Sequence, residues 1–216
     1  MERKVYNFEN KRIEKMNYLL HVPKTSPKER MPLLVALHGA GERGDDFEKI
    51  AVHGPAKYLV AGAELPAVVI APQCPKDFIW NQLTFELKEL IDFIIEEYNV
   101  NPDAVSITGL SMGGYGTWEM GMSYPGFFSA LGPVCGGGVS WRVSQIGKTP
   151  VWAFHGAEDK TVPQQNSYEM CDRLRASGGN VTLTVFAYDG HNVWDSAYEK
   201  TTLLSWLISA RRSAEL

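Results

Sequence analysis

Short apolar runs alternate with longer amphipathic stretches over most of the chain. Six runs bounded by turn residues predict buried parallel strands: 33–37, 68–71, 104–108, 128–134, 151–154 and 181–186. Stretches with helical spacing lie between most of them: 84–98, 112–123, 164–176 and 196–210. This alternation predicts an α/β domain with a mainly parallel, twisted sheet and helices on both faces. Residues 5–8 and 12–22 predict a lead-in strand or hairpin, and residues 101–103 (Asn-Pro-Asp) predict a turn.

Length and charge narrow the class of protein. A chain of 216 residues fits one domain, residues 1–216, which buries enough apolar surface to fold without disulfides or a structural metal. The net charge of −4 disfavours non-specific binding to nucleic acid.

The cysteines and the apolar runs indicate the cellular compartment in which the protein is expected. Cys74, Cys135 and Cys171 lie far apart with no Cys-x-x-Cys pair, which favours reduced thiols and disfavours a zinc or redox motif. The first residues carry mixed charge and form no apolar segment, so we expect no signal peptide. The longest purely apolar runs hold only five residues, too few for a membrane span. The expectation is a cytoplasmic protein.

A candidate nucleophile follows the third predicted strand. In open α/β sheets the functional groups gather at the carboxyl ends of the strands. Residues 109–113 read Gly-Leu-Ser-Met-Gly, a Gly-x-Ser-x-Gly pattern between a strand and a helix. The turn is so tight that larger residues at Gly109 and Gly113 would clash, and it exposes the Ser111 hydroxyl at the head of a helix. The alternative is a glycine-rich turn that only packs the helix on the sheet.

A serine hydroxyl is a weak nucleophile without a base, and His191 is the candidate. It comes just after the last predicted strand, where a base belongs if the chain order is serine, acid, histidine. The orienting carboxylate should follow the run 151–154, where Asp159 is preferred and Glu158 is the alternative. Asp189 and Asp195 are nearer to His191 along the chain, but we interpret them as loop caps.

Acyl transfer also requires donors for an oxyanion. One is expected to be the backbone N–H of Met112, at the start of the helix that follows Ser111. The second is expected from the glycine-rich loop 38–44, where we assign Ala40 with Gly41 as the near alternative. The other interpretation of this loop, a phosphate cradle, is disfavoured because the Walker and dinucleotide-binding patterns are incomplete.

The order Ser111, Asp159, His191 resembles the α/β-hydrolase superfamily over about residues 15–210. Finer similarities are 37–44 (Leu-His-Gly-Ala-Gly-Glu-Arg-Gly), 71–75 (Ala-Pro-Gln-Cys-Pro), 124–128 (Tyr-Pro-Gly-Phe-Phe) and 133–138 (Pro-Val-Cys-Gly-Gly-Gly). Together they resemble the carboxylesterase branch that groups feruloyl-esterase-like, polyhydroxybutyrate-depolymerase-like and predicted phospholipase/peptidase proteins. The resemblance implies a serine esterase that works through an acyl-enzyme and needs no cofactor.

The interval between the strand after the nucleophile's helix and the strand before the acid indicates the shape of the cleft. Residues 135–149 leave no room for a multi-helix cap domain, so we hypothesise an open cleft for small acyl or aryl esters. Candidate substrate-contacting residues near the predicted catalytic end are Gly41, Phe78, Trp80, Tyr115, Trp141 and Trp194. For each aromatic residue, a role in packing is an equally open interpretation.

Other functions stay open at this point. A serine peptidase of the prolyl-oligopeptidase type would use the same three residues on amides. A non-catalytic scaffold with a hydrolase fold is a further alternative. No metal site is expected, because His191 and Asp195 at i, i+4 have no further ligand nearby.

Overall fold

One mixed sheet organises the part of the chain that the computed structural model describes, which is residues 6–8, 12–13, 15–24 and 30–212. Its eight strands are β1 (Tyr6–Phe8), β2 (Met16–His21), β3 (Met31–Leu37), β4 (Val68–Pro72), β5 (Val100–Leu110), β6 (Ala130–Val134), β7 (Val151–Gly156) and β8 (Val181–Phe186). Their spatial order is β1-β2-β4-β3-β5-β6-β7-β8. Strands β3 to β8 run parallel, and β2 is antiparallel to both of its neighbours.

Helices cover both faces of this sheet. They are α1 (Gly54–Val60), α2 (Thr84–Glu97), α3 (Met112–Ser123), α4 (Gln165–Ala176), α5 (Trp194–Glu199) and α6 (Leu203–Ser209). Helices α2, α3 and α4 contribute to one apolar cluster, and α1, α5 and α6 contribute to a second cluster on the opposite face. The predicted fold class, a mainly parallel α/β sheet between two helical layers, is therefore confirmed.

Most of the predicted elements are present, with four differences. The run predicted at 128–134 begins as a strand only at Ala130. The turn predicted at 101–103 lies inside β5, where the Asp103 N–H donates to Asn101 Oδ1 and the register against β3 shifts. The sequence pattern does not predict helix α1, because its Gly-Pro start has the pattern of a turn, although proline fits the first helical turn well. Of the lead-in prediction, residues 5 and 14 lie outside the described residues.

The fourth difference is that the helix predicted at 196–210 is two helices. The Thr201 hydroxyl donates to the Ala197 carbonyl at 2.6 Å and accepts from the Leu203 N–H at 3.1 Å. One side chain thus ends α5 and begins α6, a competition with the helical backbone that hydrophobic periodicity does not record.

The connection between β6 and β7 is short. Within it, the only described helix is a single 3-10 helix, Ser140–Ile146, and no cap domain covers the carboxyl end of the sheet there. Among the described residues, no helix combines the length and the apolar character needed to cross a bilayer.

The first turn of α3 rests directly on the backbone of the central strands. A Cβ atom on Gly113 would lie 2.2 Å from the Leu37 carbonyl oxygen, and one on Gly109 would lie 2.3 Å from the Gly113 carbonyl oxygen. Real Cβ atoms do not approach so closely, so glycine is required at both positions. The contact fixes the helix that follows Ser111 against the ends of β3 and β5.

Replacing Gly113→Ala should therefore lower the free energy of unfolding by roughly 1–3 kcal/mol or more, because backbone would have to move. Gly41→Ala is the matched control, since a Cβ at Gly41 meets nothing within 4 Å, and it should stay within about 0.5 kcal/mol of the parent. Urea unfolding of the three proteins measures the difference. Equal midpoints for all three would contradict the close contact.

Candidate active site

Ser111 lies in a strained turn between β5 and α3. Its backbone has φ 53° and ψ −117°, in the half of conformational space that non-glycine residues rarely adopt. The turn is held by the Ser111 N–H, which donates to the Val134 carbonyl at 3.0 Å, and by the Tyr115 N–H, which donates to the Ser111 carbonyl at 3.1 Å. Such strain is typical of residues whose side chain must be presented at a fixed place.

Ser111, His191 and Asp159 form a continuous hydrogen-bonded row. His191 Nε2 lies 2.9 Å from Ser111 Oγ, and His191 Nδ1 lies 2.7 Å from Asp159 Oδ2. Because the carboxylate can only accept, Nδ1 carries the proton, and Nε2 is left to accept from the Ser111 hydroxyl. The structure thus brings together the three residues that the sequence singled out.

The Asp159 carboxylate is buried and fully engaged. Its Oδ1 accepts from the N–H groups of Thr161 and Val162, each at 2.9 Å. Burial alone would raise the pKa of this carboxyl, but the hydrogen bonds from His191, Val162 and Thr161 outweigh it, so the pKa is lowered. The anion that supports an imidazolium is therefore the stable form.

The other candidate acids lie elsewhere. Glu158 is exposed, and its N–H donates to the Asp189 carbonyl. Asp195 forms an ion pair with Lys57 at 3.5 Å. Of the acids considered, Asp159 is thus the one that the structure brings to His191.

A second histidine, His155, supports the turn that carries Asp159. Its Nε2 lies 2.8 Å from the Val162 carbonyl and 3.4 Å from Asp159 Oδ2, and its Nδ1 lies 2.7 Å from Ser167 Oγ. Burial is the largest cause that lowers its pKa, so the ring is neutral, with Nε2–H donating and Nδ1 accepting from the serine. His155 is not among the site residues predicted from the sequence, although it directly precedes the glycine that opens the acid loop.

The two expected oxyanion donors lie at the starts of two helices. Met112 is the first residue of α3, and Ala40 is the first residue of the 3-10 helix Ala40–Glu42. N–H groups at such positions have no acceptor within their own helix. The loop and the nucleophile turn are neighbours, since a Cβ on Gly39 would lie 3.0 Å from Leu110 Cδ1.

His38 and Trp80 hold that loop from inside the protein. His38 Nδ1 donates to the Gly39 carbonyl at 2.6 Å, and its Nε2 accepts from the Cys74 N–H at 2.9 Å. Trp80 Nε1 donates to the His38 carbonyl at 2.9 Å. The expectation that Trp80 contacts substrate is wrong, because its side chain is fully buried, with its Cβ close to Gly116 of α3.

The remaining aromatic candidates differ in their surroundings. Trp194 is largely buried and packs edge-on against the His191 ring at 5.4 Å between centroids. Tyr115 is half-buried, and burial, followed by the charges of Asp159 and Cys135, raises its pKa. Trp141 is 77% exposed on the 3-10 helix of the β6–β7 connection.

Two further aromatics complete this picture. Phe78 is partly buried and packs against the apolar core. Tyr188, which is not among the candidates predicted from the sequence, is 95% exposed in the loop that leads to His191.

One group of side chains in the site could ligate a metal. The Cys135 thiol, the Asp159 carboxylate and the His191 ring offer donor atoms that all lie within 4.8 Å of one another. Two of these groups already share a short hydrogen bond, and burial strongly raises the pKa of the Cys135 thiol. From the sequence Cys135 is expected to be a reduced thiol, and nothing in its spacing points to this neighbourhood.

A strained serine at the end of the central strand, in a sheet of this order, is characteristic of the α/β-hydrolase fold. The family model described as "Putative esterase" matches residues 11–176, and the chain belongs to this esterase family. Among solved structures, a thermostable esterase is 32% identical, with a TM-score of 0.84 over 97% of this chain and 63% of its own.

Other matches are more distant. Poly(3-hydroxyalkanoate) depolymerase C from Paucimonas lemoignei is 25% identical over 82% of this chain, and the chain spans about half of that protein (53%). Est1E from Butyrivibrio proteoclasticus is 17% identical with a TM-score of 0.70, over 94% of this chain and 95% of its own. An acylaminoacyl peptidase from Pyrococcus horikoshii is 15% identical with a TM-score of 0.74, over all of this chain (100%) and 42% of its own.

Buried, neutral His38 should make the protein less stable in acid. Burial lowers its pKa from 6.5 to about 4. Between these pH values His38 is protonated in the unfolded chain but neutral in the folded protein. The free energy of unfolding should fall as the pH drops from 6.5 to 4, by about 3 kcal/mol from this residue. Urea unfolding at several pH values checks this.

His38→Gln should show a flatter pH dependence over that window. The parent protein, unfolded at the same pH values, is the reference for this slope. A His38→Gln protein with the parent's slope would contradict the assignment.

Proposed function

We propose that the chain hydrolyses carboxylic esters through a covalent acyl-enzyme, with Ser111 as nucleophile, His191 as base and Asp159 as the orienting carboxylate. The observation that carries this proposal is the row of hydrogen bonds from Ser111 Oγ to His191 Nε2 (2.9 Å) and from His191 Nδ1 to Asp159 Oδ2 (2.7 Å). Membership of the esterase family supports it.

In the acylation step, Ser111 Oγ attacks the ester carbonyl carbon while its proton passes to His191 Nε2. The imidazolium that forms is stabilised by anionic Asp159, which is held in place by two backbone N–H groups. The N–H groups of Met112 and Ala40 donate hydrogen bonds to the oxyanion that forms from the carbonyl oxygen. Each such donor is worth about 10²- to 10³-fold in rate.

The intermediate then collapses and the alcohol leaves with the proton from His191. A water molecule repeats the sequence on the acyl-enzyme, with His191 as its base, and releases the carboxylic acid. No redox step or external acid is needed, because the proton taken from Ser111 is returned to the leaving group.

We infer small acyl or aryl esters in an open cleft as the substrate class. The short β6–β7 connection supports this inference, since it holds a single 3-10 helix. The exposed Trp141 ring, together with Gly41, Tyr115 and Trp194, remains our candidate for contact with the acyl or alcohol group. The Paucimonas lemoignei relative is a poly(3-hydroxyalkanoate) depolymerase, and an ester substrate fits this activity of the relative.

Ser111→Ala should abolish ester hydrolysis while the fold is retained. We expect kcat on p-nitrophenyl acetate, butyrate and octanoate and on methyl ferulate to fall by about 10⁴-fold or more, because no other group can form the acyl-enzyme. Ser144→Ala, an exposed serine outside the row, is the control and should keep full activity.

Two outcomes would contradict this proposal. One is a folded parent protein that turns over acyl-peptide anilides but no ester, which would favour a serine peptidase. The other is a folded parent that is inactive on both, which would favour a scaffold.

An open cleft should give simple saturation kinetics on lipid esters. We expect the rate on tributyrin to vary smoothly as its concentration crosses the solubility limit, because no lid has to move at an interface. Initial rates in a pH-stat, on both sides of that limit, measure this. A steep rise above the limit would argue for a mobile cover over the site.

A further inference from the structure

The segment that follows β4 contacts the oxyanion loop, residues 38–46, and the mechanism does not use it. Strand β4 is the parallel neighbour of β3 in the sheet, so Gln73, the residue directly after β4, lies beside the start of this loop. Residues 71–75 (Ala-Pro-Gln-Cys-Pro) are one of the motifs that resemble the esterase branch, but the resemblance assigns them no role.

One side-chain amide joins two points of the oxyanion loop. Gln73 is buried, with 1% of its surface exposed, and its Nε2 atom donates to the Glu42 carbonyl at 3.0 Å and to the Asp46 carbonyl at 2.8 Å. Glu42 ends the 3-10 helix Ala40–Glu42, and Asp46 precedes the next one, Phe47–Ala51. Both hydrogens of the amide are thus used, and the two carbonyls are held at a fixed separation.

The orientation of this amide follows from its partners. Carbonyl oxygens can only accept hydrogen bonds, so the NH2 group of Gln73 has to face them. Its Oε1 atom is buried without a hydrogen-bond partner among the described residues. Because a buried acceptor without a donor lowers stability, the hold of the NH2 group on the loop explains a glutamine here better than a gain in overall stability does.

The backbone of the same segment is also tied to the loop. The Gln73 N–H donates to the Asn17 carbonyl of β2 at 2.7 Å, which anchors the glutamine on the sheet. The Cys74 N–H donates to His38 Nε2 at 2.9 Å, and the Cys74 carbonyl accepts from the Gly44 N–H at 2.9 Å. Residues 73 and 74 therefore hold the loop at positions 38, 42, 44 and 46.

The expected oxyanion donor lies between these anchors. Ala40 is exposed, and its carbonyl accepts from Arg43 Nε at 3.1 Å. The space around Gly41 is open, since a Cβ there would meet nothing within 4 Å. The direction of the Ala40 N–H is therefore set by the fixed positions of His38 before it and Glu42 after it.

Different parts of the protein hold the two sides of the loop. A Cβ on Gly113 would lie 2.8 Å from the His38 carbonyl oxygen, so the first side rests on the helix that follows Ser111. The Glu42 side is held by Gln73, which is anchored on the outer strands β2 and β4. Loss of the Gln73 amide should therefore loosen the Ala40 donor and leave the hydrogen-bonded row of the candidate site in place.

We propose that Gln73 is a positioning residue for ester hydrolysis, which fixes the loop so that the Ala40 N–H faces the oxyanion. The proposal rests on the proposed esterase function. Gln73 touches no reacting atom and acts through the loop. It should therefore matter where negative charge develops on the substrate oxygen and should have little effect on binding of the uncharged ester. The motif at residues 71–75 thereby acquires a role in the transition state.

Two ketones separate these effects. Ser111 Oγ adds to the carbonyl carbon of 1,1,1-trifluoro-2-heptanone while its proton passes to His191 Nε2, so the adduct carries an anionic oxygen like that of the transition state. 2-Heptanone has the same chain but forms no stable adduct. The inhibition constants of both ketones, and kcat/KM on p-nitrophenyl butyrate, are measured for the parent, Gln73→Met and Gln73→Glu.

The two variants should lose affinity for the charged adduct. In Gln73→Met, kcat/KM and the affinity for the trifluoro ketone should fall together by about 10- to 100-fold, because part of the contribution of one oxyanion donor is lost. Gln73→Glu should lose at least as much, since a carboxylate repels the two carbonyl oxygens. The affinity for 2-heptanone should stay within about twofold of the parent. The ratio of the two affinities is taken within one protein, so a smaller folded fraction cancels.

Leu174→Ala is the matched control for a loss of stability. Leu174 is fully buried in α4, which packs on β7 and β8, whereas the oxyanion loop follows β3. Its truncation leaves a cavity in the core and should destabilise the protein. The ratio of the two ketone affinities should nevertheless keep the parent's value.

The outcomes separate this inference from the proposed function. If Gln73→Met and Gln73→Glu keep the parent's ratio, or if Leu174→Ala lowers the ratio as much as they do, the positioning role is wrong. Ser111-dependent turnover of p-nitrophenyl butyrate would then leave the esterase proposal intact. If the folded parent hydrolyses no ester, the proposed function fails and this inference fails with it.

Discussion

The structure depends on one backbone contact, in which the first turn of α3 rests on the ends of β3 and β5 with no side chain between. Gly109 and Gly113 make the contact possible, since a Cβ on Gly113 would come within 2.2 Å of the Leu37 carbonyl oxygen. This proximity forces the chain through the strained conformation of Ser111. It also places the oxyanion loop after β3 beside the nucleophile turn after β5, because the two strands are paired neighbours in the sheet. The same close contact therefore fixes both the packing of α3 on the sheet and the geometry of the site.

Burial and hydrogen bonding determine the protonation states of the polar groups around this contact. Buried histidines at the ends of β3 and β7, His38 and His155, are kept neutral, and each uses both ring nitrogens to fix a loop. Asp159, by contrast, remains anionic because three donors outweigh its desolvation. Glu42 differs from Asp159, because its Oε2 atom is buried without a hydrogen-bond partner among the described residues.

The sequence predicts those features of the fold and the site that leave a periodic pattern or follow from strand order. The strands and the longer helices repeat apolar residues at fixed spacing, and the positions of Ser111, Asp159 and His191 after β5, β7 and β8 follow from the sheet's parallel topology. The break between α5 and α6 cannot be predicted from such spacing, because it depends on the hydroxyl of Thr201, which competes for backbone groups. The burial of Trp80 cannot be predicted either, since a tryptophan in a loop has the same local pattern whether it faces a cleft or the interior.

Much of the site is built from main-chain atoms. The Asp159 carboxylate is oriented by the N–H groups of Thr161 and Val162, and the oxyanion donors proposed at Ala40 and Met112 are N–H groups as well. Every amino acid except proline supplies the same N–H, so the identity of the side chain at these positions has no direct part in holding charge. The charge-stabilising part of the site is thereby robust to mutation, and evolutionary change in these loops can alter the walls of the cleft without removing the groups that stabilise charge.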